Sequence, residues 1–375
     1  MTNNRGKKIN SFPEVMERIL PALSKTWPDL FENTSTSDRD KIKVFELFGQ
    51  GATSRQFLIR IPMLPEGERK FFVKQYVLEK GNRDFWETQL KQDVTVAKIL
   101  SRTTATSRWF KVLRPYIIIP NDLLSITEYV EGQNLGHLFS KALRFSMLPW
   151  SSFEHLHNFV RLAGHGLAEL QSLDLDMFFQ VFGQPDLNDY IGKVLMSFDD
   201  TAIYLEKSGC LPELINWGRQ TFENILTPSH FREKMCFQHN DFILQNFIVD
   251  IQNRLFLFDF PNAKFGFPYW DIAHFIYSLE DFSYLRTVPE KHVRSLVRSF
   301  LLSFETHQRL DPLMLDAFRL YFQFLSTMII LRVGHSQRSG FRRLLHENTL
   351  NRFERRVRQL LKSIDDGNGE LASMI

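Results

Sequence analysis

The chain has 375 residues, 43% of them hydrophobic and 24% charged, a globular balance that excludes a largely disordered polymer. Lys and Arg total 46 against 43 for Asp and Glu, a net charge of +3. That small excess gives no ground for a general nucleic-acid-binding surface.

Residues 1–40 read as a polar leader: a basic start without an apolar h-region, an amphipathic stretch through Val15, Ile19, Leu20 and Leu23, and a Ser/Thr/Asp-rich link ending at Asp40. Short β-prone runs follow at 44–48, 56–61 and 70–76, punctuated by Gly49-Gln50-Gly51 and by residues 62–67. They predict a β-meander. Trp86, Leu90, Val94, Ala97 and Leu100 recur near helical spacing and predict a helix over 84–100. Strands are expected at 116–119 and 124–129. From Glu131 onward the pattern is helical, apart from a hairpin-like island at 237–260. The most apolar stretch, 321–331, is interrupted by Gln323, Ser326 and Thr327 and predicts a buried helix, not a membrane span. The plan is a β-rich lobe at 41–130, a link near residues 129–132, and a larger helical lobe at 131–375. Phe is abundant at 36, which points to aromatic cores. The two cysteines, Cys210 and Cys236, are too few for a disulfide framework or a cysteine-rich zinc site and fit a reduced, cytoplasmic protein.

The island carries the chemistry. His239-Asn240-Asp241 and Asn246 precede the apolar run Phe247-Ile248-Val249, and Leu255-Phe256-Leu257-Phe258 leads into Asp259-Phe260. With residues 251–254 as the loop, 250 would pair with 255 and 247 with 258, which sets Asn246 opposite Asp259 at the open end. An amide oxygen and a carboxylate on one hairpin are hard ligands suited to Mg²⁺. Asp241, on the loop before them, can accept or orient the proton of an attacking hydroxyl. The plain alternative is that these residues serve only turns and caps.

The series His239-x-Asp241-x4-Asn246, a hairpin, then Asp259-Phe260 resembles the aminoglycoside phosphotransferase and choline kinase group of the protein-kinase-like fold. Gly266-Phe267-Pro268-Tyr269-Trp270-Asp271-Ile272-Ala273 is similar to the Gly-x-Pro-x-x-Asp-Leu-Ala segment of that group, whose Asp is usually structural. Gly166 to Asp174 looks like its Leu-Ala-x-Leu-His helix end, with Gln171 in place of the His. The resemblance implies an α+β fold of two lobes and an ATP- and Mg²⁺-dependent phosphotransferase with an alcohol group as acceptor. It assigns Asp241 to the catalytic position, Asn246 and Asp259 to metal, and His239 to bracing the loop. Lys74 would contact the α- and β-phosphates. Gly49, Gly51, Thr53 and Ser54 would form a phosphate-approaching loop. Asp93, or else Glu87, would pair with Lys74, and the backbone of Glu128 and Val130 would meet adenine.

Two departures stand out: Asn240 replaces the usual Gly before the catalytic Asp, and Pro261-Asn262 follows Asp259-Phe260. Neither removes a catalytic group. A C-terminal stretch carries Arg332, Arg338, Arg342, Arg343, Arg352, Arg355, Arg356 and Arg358. It reads as a solvated helix face or as a patch for an anionic acceptor. The expected acceptor is a small molecule or glycan, with a sugar first. The competing expectation is a catalytically weak nucleotide-binding scaffold that holds a partner through this basic region. Protein kinase activity ranks lower, because little chain separates Asp259 from Asp271.

Overall fold

Period-two alternation along 54–76 sorts one set of side chains into a core and the other onto a working face. The computed structural model describes residues 13–26, 42–46, 54–63, 67–76, 82–144, 150–226, 235–285, 289–335 and 341–367. Its chain divides into two units, Met1–Gln133 with Ile248–Ala263, and Asn134–Phe247 with Lys264–Ile375. The segment 248–263, inside the span expected for the second lobe, thus groups with the first.

In the first unit, β1 (Lys43–Glu46), β2 (Ser54–Met63), β3 (Gly67–Tyr76), β5 (Pro115–Ile119) and β6 (Leu124–Glu128) form an antiparallel sheet in the order β1-β2-β3-β6-β5. Phe57 sits opposite Val73, Ile59 opposite Phe71, and Ile126 opposite Val73. These side chains share one face and are fully buried with Leu124. Helix α1 (Pro13–Thr26) covers that face with Ile19 and Leu23, one turn apart. Part of the expected leader is therefore core. Each such side chain contributes about 1.5–3 kcal/mol on burial.

Helix α2 (Arg83–Thr103) packs Trp86 and Leu90 against Tyr76 and Leu123. Asn82 caps its start by accepting from Phe85 N–H at 2.7 Å. Strand β4 (Lys111–Val112) runs parallel to β10 (Leu255–Leu257). The hairpin joining β9 (Phe247–Asp250) to β10 closes tighter than expected. Asp250 N–H donates to the Arg254 carbonyl (3.1 Å) and Asn253 N–H to the Asp250 carbonyl (3.0 Å), with Asn253 at φ 60°. Residue 250 therefore meets 254, not 255. Asn tolerates the left-handed backbone this three-residue turn requires.

The second unit is mainly helical: α3 (Leu135–Arg144), α4 (Trp150–Gln171), α5 (Leu187–Lys207), α6 (Pro212–Ile225), α7 (Pro268–Leu285), α8 (Glu290–Glu305), α9 (Pro312–His335) and α10 (Phe341–Asp365). Short strands β8 (Cys236–Gln238) and β11 (Lys264–Gly266) pair antiparallel. Helix α4 lies against α8, and α9 packs on α5, α6, α7 and α10. The span Pro312–Arg332 is long and apolar enough to cross a membrane, but 78% of that window is buried inside the unit. Aromatic packing accounts for this. Phe198 stacks on Phe222 at 4.4 Å and on Phe324 at 4.8 Å, and Trp270 meets Tyr321 at 5.0 Å.

Part of the basic C-terminal stretch faces inward. Glu280 accepts from both Arg319 and Arg356 at 2.7 Å, and Arg319 also bonds Asp316 at 2.7 Å. Arg356 is buried. Arg332 lies over the Tyr204 ring. The side chains of Arg338, Arg342 and Arg343 lie outside the described residues.

Candidate active site

The face of β3 turned away from the core carries Phe72, Lys74 and Tyr76, at i, i+2 and i+4. Register adds neighbours: Gln56 and Ser125 flank Lys74, and Thr127 flanks Phe72. Phe72, Lys74, Gln56, Ser125 and Thr127, with Asp93, Ala97 and Leu113, line a pocket completed by Phe258, Asp259 and Phe260.

Lys74 is buried there between two carboxylates. Its Nζ lies 3.3 Å from Asp93 Oδ2 and bonds Asp259 Oδ1. Burial alone would lower the pKa of this amine. The charges of Asp259 and Asp93 outweigh burial and hold it well above the usual lysine value. Lys74 is therefore cationic at any physiological pH. The Tyr76 ring lies 4.6 Å from the same Nζ, and its hydroxyl donates to Asp93 Oδ2 at 3.2 Å. Burial, then the Asp93 charge, push that phenol well above its ordinary range, so Tyr76 stays a donor. Asp93 Oδ1 accepts from Phe260 N–H at 2.8 Å. One helix carboxylate thereby ties together the lysine, the tyrosine and the backbone after Asp259. Of the two candidate acids on α2, Asp93 makes the pair with Lys74. Glu87 bonds Lys91 at 2.8 Å on the helix surface.

Asp259 takes a left-handed backbone, φ 74°, which costs a non-glycine residue roughly 1–2 kcal/mol. The Phe260 N–H bond and the Lys74 pair hold it there. Gln92 braces the chain beyond, donating to the carbonyls of Pro261 (2.8 Å) and Ala263 (2.7 Å). At the expected hinge, Glu128 N–H donates to the Arg114 carbonyl at 2.8 Å. Ser54 is buried at the start of β2. Gly49, Gly51 and Thr53 lie outside the described residues.

In the second unit, Asn246 donates through Nδ2 to the backbone oxygen of Asp241 (2.8 Å) and to its Oδ2 (2.9 Å). These bonds fix the Asp241 carboxylate and leave the Asn246 amide oxygen uncommitted by them. Asp271, fully buried, accepts from His239 N–H (2.7 Å) and Asn240 N–H (2.9 Å) with its two oxygens. Burial pushes its carboxyl up to about 7, against the pull of those two bonds. Asn240 stands at φ 62°, which explains the departure from Gly: Asn is among the few side chains that enter this region readily. His239 is fully buried and meets the Phe242 ring edge-on. Gln171, where a His is usual, donates to the Pro268 carbonyl at 3.0 Å. A Cβ on Gly266 would run into the Gln238 side chain and the Tyr190 ring, so only glycine fits there.

The residues expected from sequence therefore fall into two local groups: Lys74, Asp93 and Asp259 in the first unit, Asp241 and Asn246 in the second. Sequence reading missed Phe72, Tyr76, Gln56 and Thr127. Alternation from Lys74 along β3 signals the first two. Gln56 and Thr127 required the strand register.

Each donor type suits the groups that the sequence resemblance implies. Asp259 and Asn246 offer the hard oxygens that Mg²⁺ prefers, and a buried cationic lysine facing an aromatic-lined pocket suits a nucleotide phosphate chain.

The model of the phosphotransferase enzyme family (APH) matches residues 45–310, more than half of the chain. No curated protein matches it. Among solved structures, the gentamicin–APH(2")-IIa complex is 18% identical over 91% of this chain and 96% of that one, with a TM-score of 0.52. An ethanolamine kinase of Plasmodium vivax is 13% identical over 92% and 90%, with a TM-score of 0.52. LicA in complex with AMP is 13% identical over 91% and 98%, with a TM-score of 0.50. Likeness at such low identity establishes the fold, which is α+β and protein-kinase-like, with a β-rich N-terminal part and a mainly helical C-terminal part. With the family model spanning both groups of site residues, the chain belongs to the phosphotransferase enzyme family.

Proposed function

We propose that the protein uses ATP and Mg²⁺ to phosphorylate a hydroxyl group of a small molecule or glycan. Family membership and the small-molecule kinases among its structural neighbours support phosphoryl transfer. The observation that carries the nucleotide reading is the Lys74–Asp93–Asp259 cluster on an aromatic-lined pocket.

Lys74, held protonated, binds the α- and β-phosphate oxygens. Phe72, two residues before it on the same face, offers a ring for the base to stack on. The backbone of Glu128 and Val130 meets the base edge, and the loop 49–54 approaches the phosphates. Asn246 and Asp259 hold Mg²⁺, which when bound neutralises charge on the phosphates. Asp241 takes the acceptor proton as the hydroxyl oxygen bonds to the γ-phosphorus and the bond to ADP breaks. Its hold by Asn246 sets the carboxylate for that role. A sugar is the first acceptor class to screen. The inward pairing of Arg356 with Glu280 takes one cation from the basic surface available to an anionic acceptor or to a scaffold's partner. A cytoplasmic setting goes with this reading, where ATP is abundant and thiols stay reduced.

The test has two parts. Thermal-shift titration with ATP or GTP, with and without Mg²⁺, compares wild type with Asp259→Asn, a side chain that tolerates the left-handed backbone. A Mg²⁺-dependent rise in wild type that is lost in the variant supports the site, and an unchanged rise moves the metal elsewhere. Asp241→Ala should keep nucleotide binding and lose transfer in an acceptor screen. Near-wild-type turnover removes Asp241 from the mechanism.

A further inference from the structure

A second cleft lies in the first unit, apart from the Lys74 pocket. It has a volume of about 550 Å³ and is bordered by Arg69 of β3, Lys98, Ser101 and Arg102 of α2, and Arg114 and Tyr116 at the start of β5. No acidic side chain is among its described lining residues. Lys98, Arg102 and Arg114 are exposed, and none of the three has a described carboxylate partner for its charged head. A bulge in β5 between Pro115 and Ile117 sets the Tyr116 ring edge-on to Phe71 at 6.0 Å, with the Arg114 guanidinium 5.8 Å from the ring and Arg69 bonded to its hydroxyl. Bulges commonly re-aim side chains at binding sites.

Four cations around one cleft are not a stability device. Lys98 and Arg102 are four residues apart on one helix face, where like charges repel. The C-terminal ends of α1 and α2 lie there, each worth about half a negative charge, and both together offset about one positive charge, less than Lys98, Arg102 and Arg114 bring. Glu128 stands nearby, its carboxylate accepting from the Arg114 backbone N–H, and its charge offsets about one more. The cleft keeps a positive excess with planar guanidinium forks, which match phosphate oxygens.

We propose that this cleft binds a phosphate-bearing anion on the outer side of α2, in a site separate from the reaction centre. Its described lining residues offer no carboxylate for a bridging metal and do offer cations for the anion itself, so binding should need no metal. The ligand is either a free phosphorylated metabolite or an anionic lipid headgroup, and the phosphate chemistry is shared.

The test is calorimetric titration of the full-length protein with pyrophosphate in EDTA. Wild type should bind saturably, and Lys98→Ala/Arg102→Ala should bind about tenfold or more weakly. Both positions are exposed, and Ala is a good helix former, so the variant should fold; an unchanged thermal midpoint without ligand verifies that. No saturable binding at millimolar pyrophosphate, or equal affinity in the double variant, overturns the proposal. Phosphatidylcholine vesicles containing phosphatidylglycerol then separate the sources. Wild type that sediments with them, and is released by pyrophosphate, assigns the phosphate to lipid. Wild type that stays in solution while binding pyrophosphate assigns it to a free metabolite.

Discussion

Asp93→Asn keeps the shape of the side chain and removes its charge. In the native protein Asp93 Oδ2 faces Lys74 Nζ at 3.3 Å and the Tyr76 hydroxyl at 3.2 Å, while Oδ1 accepts from Phe260 N–H. At 3.3 Å and an effective dielectric constant near 20, the Coulomb attraction to Lys74 is about 5 kcal/mol. Desolvation of both groups offsets part of it. Breaking a buried pair by removing one partner costs about 3–5 kcal/mol. Lys74 keeps Asp259 in the variant, so the lower end, about 3 kcal/mol, is expected. For a domain of 150–250 residues that is a drop of roughly 6–12 °C in the unfolding midpoint. Glu87→Gln is the control: Glu87 is paired on the surface with Lys91, and the midpoint should stay where it is. Alkaline titration adds an independent readout. The folded pKa of Lys74 is raised, so its stabilisation is complete below about 10.5 and is lost as pH climbs through the folded value. With one of its two carboxylates gone and its folded pKa lowered, Asp93→Asn should lose less stability than wild type as pH rises above about 10.5. Differential scanning fluorimetry across pH reads both effects. An Asp93→Asn midpoint matching wild type, or an equal loss in Glu87→Gln, would refute the reasoning.

Asn240→Gly should leave stability within a few tenths of a kcal/mol, since φ 62° suits glycine. Asn240→Ala should cost about 1–2 kcal/mol in urea unfolding; equal effects would mean that the Asn side chain, not the backbone, matters. Asp271→Asn loses one of two acceptor oxygens facing backbone N–H groups and should destabilise at all pH values by about 1–3 kcal/mol. Wild type gains stability from protonated Asp271 below its ordinary pKa and loses it as pH rises to about 7. The gap between wild type and Asp271→Asn should therefore narrow from pH 4 to pH 7. A gap that widens over that range would show the carboxylate form to be the favoured one.

The sheet was legible because its two faces differ. Apart from the buried Leu58, Phe57, Ile59, Phe71, Val73 and Ile126 alternate with polar or half-exposed neighbours, and alternation is what a strand with one buried face displays. The helix carrying Asp93 was legible for the same reason at a different period. What sequence could not supply was register. The hairpin shows this best: residues 251–254 read as the loop, and Asn253 in a left-handed conformation instead selects the three-residue closure on Asp250 and Arg254. Composition also misled at the C-terminus. Arg356 counts as surface charge in a sequence, yet a partner 76 residues upstream, Glu280, draws it inside. Long-range pairing of this kind leaves no local signal.

The departures from the family pattern follow the same logic. A Gly at position 240 would serve backbone geometry, and the structure satisfies that geometry with Asn at φ 62° while Asp271 binds the two adjacent N–H groups. Gln171 in place of His keeps a side-chain donor, now directed at the Pro268 carbonyl. Asp93, where the resembled group normally has Glu, is shorter by one methylene, and it still pairs with Lys74 while also accepting from the Tyr76 hydroxyl and Phe260 N–H. In each case the physical requirement is a backbone angle, a donor or a charge at a given point, and a second residue type meets it. Substitution at a family position therefore removes a function only when it removes that angle, donor or charge, and none of these three does.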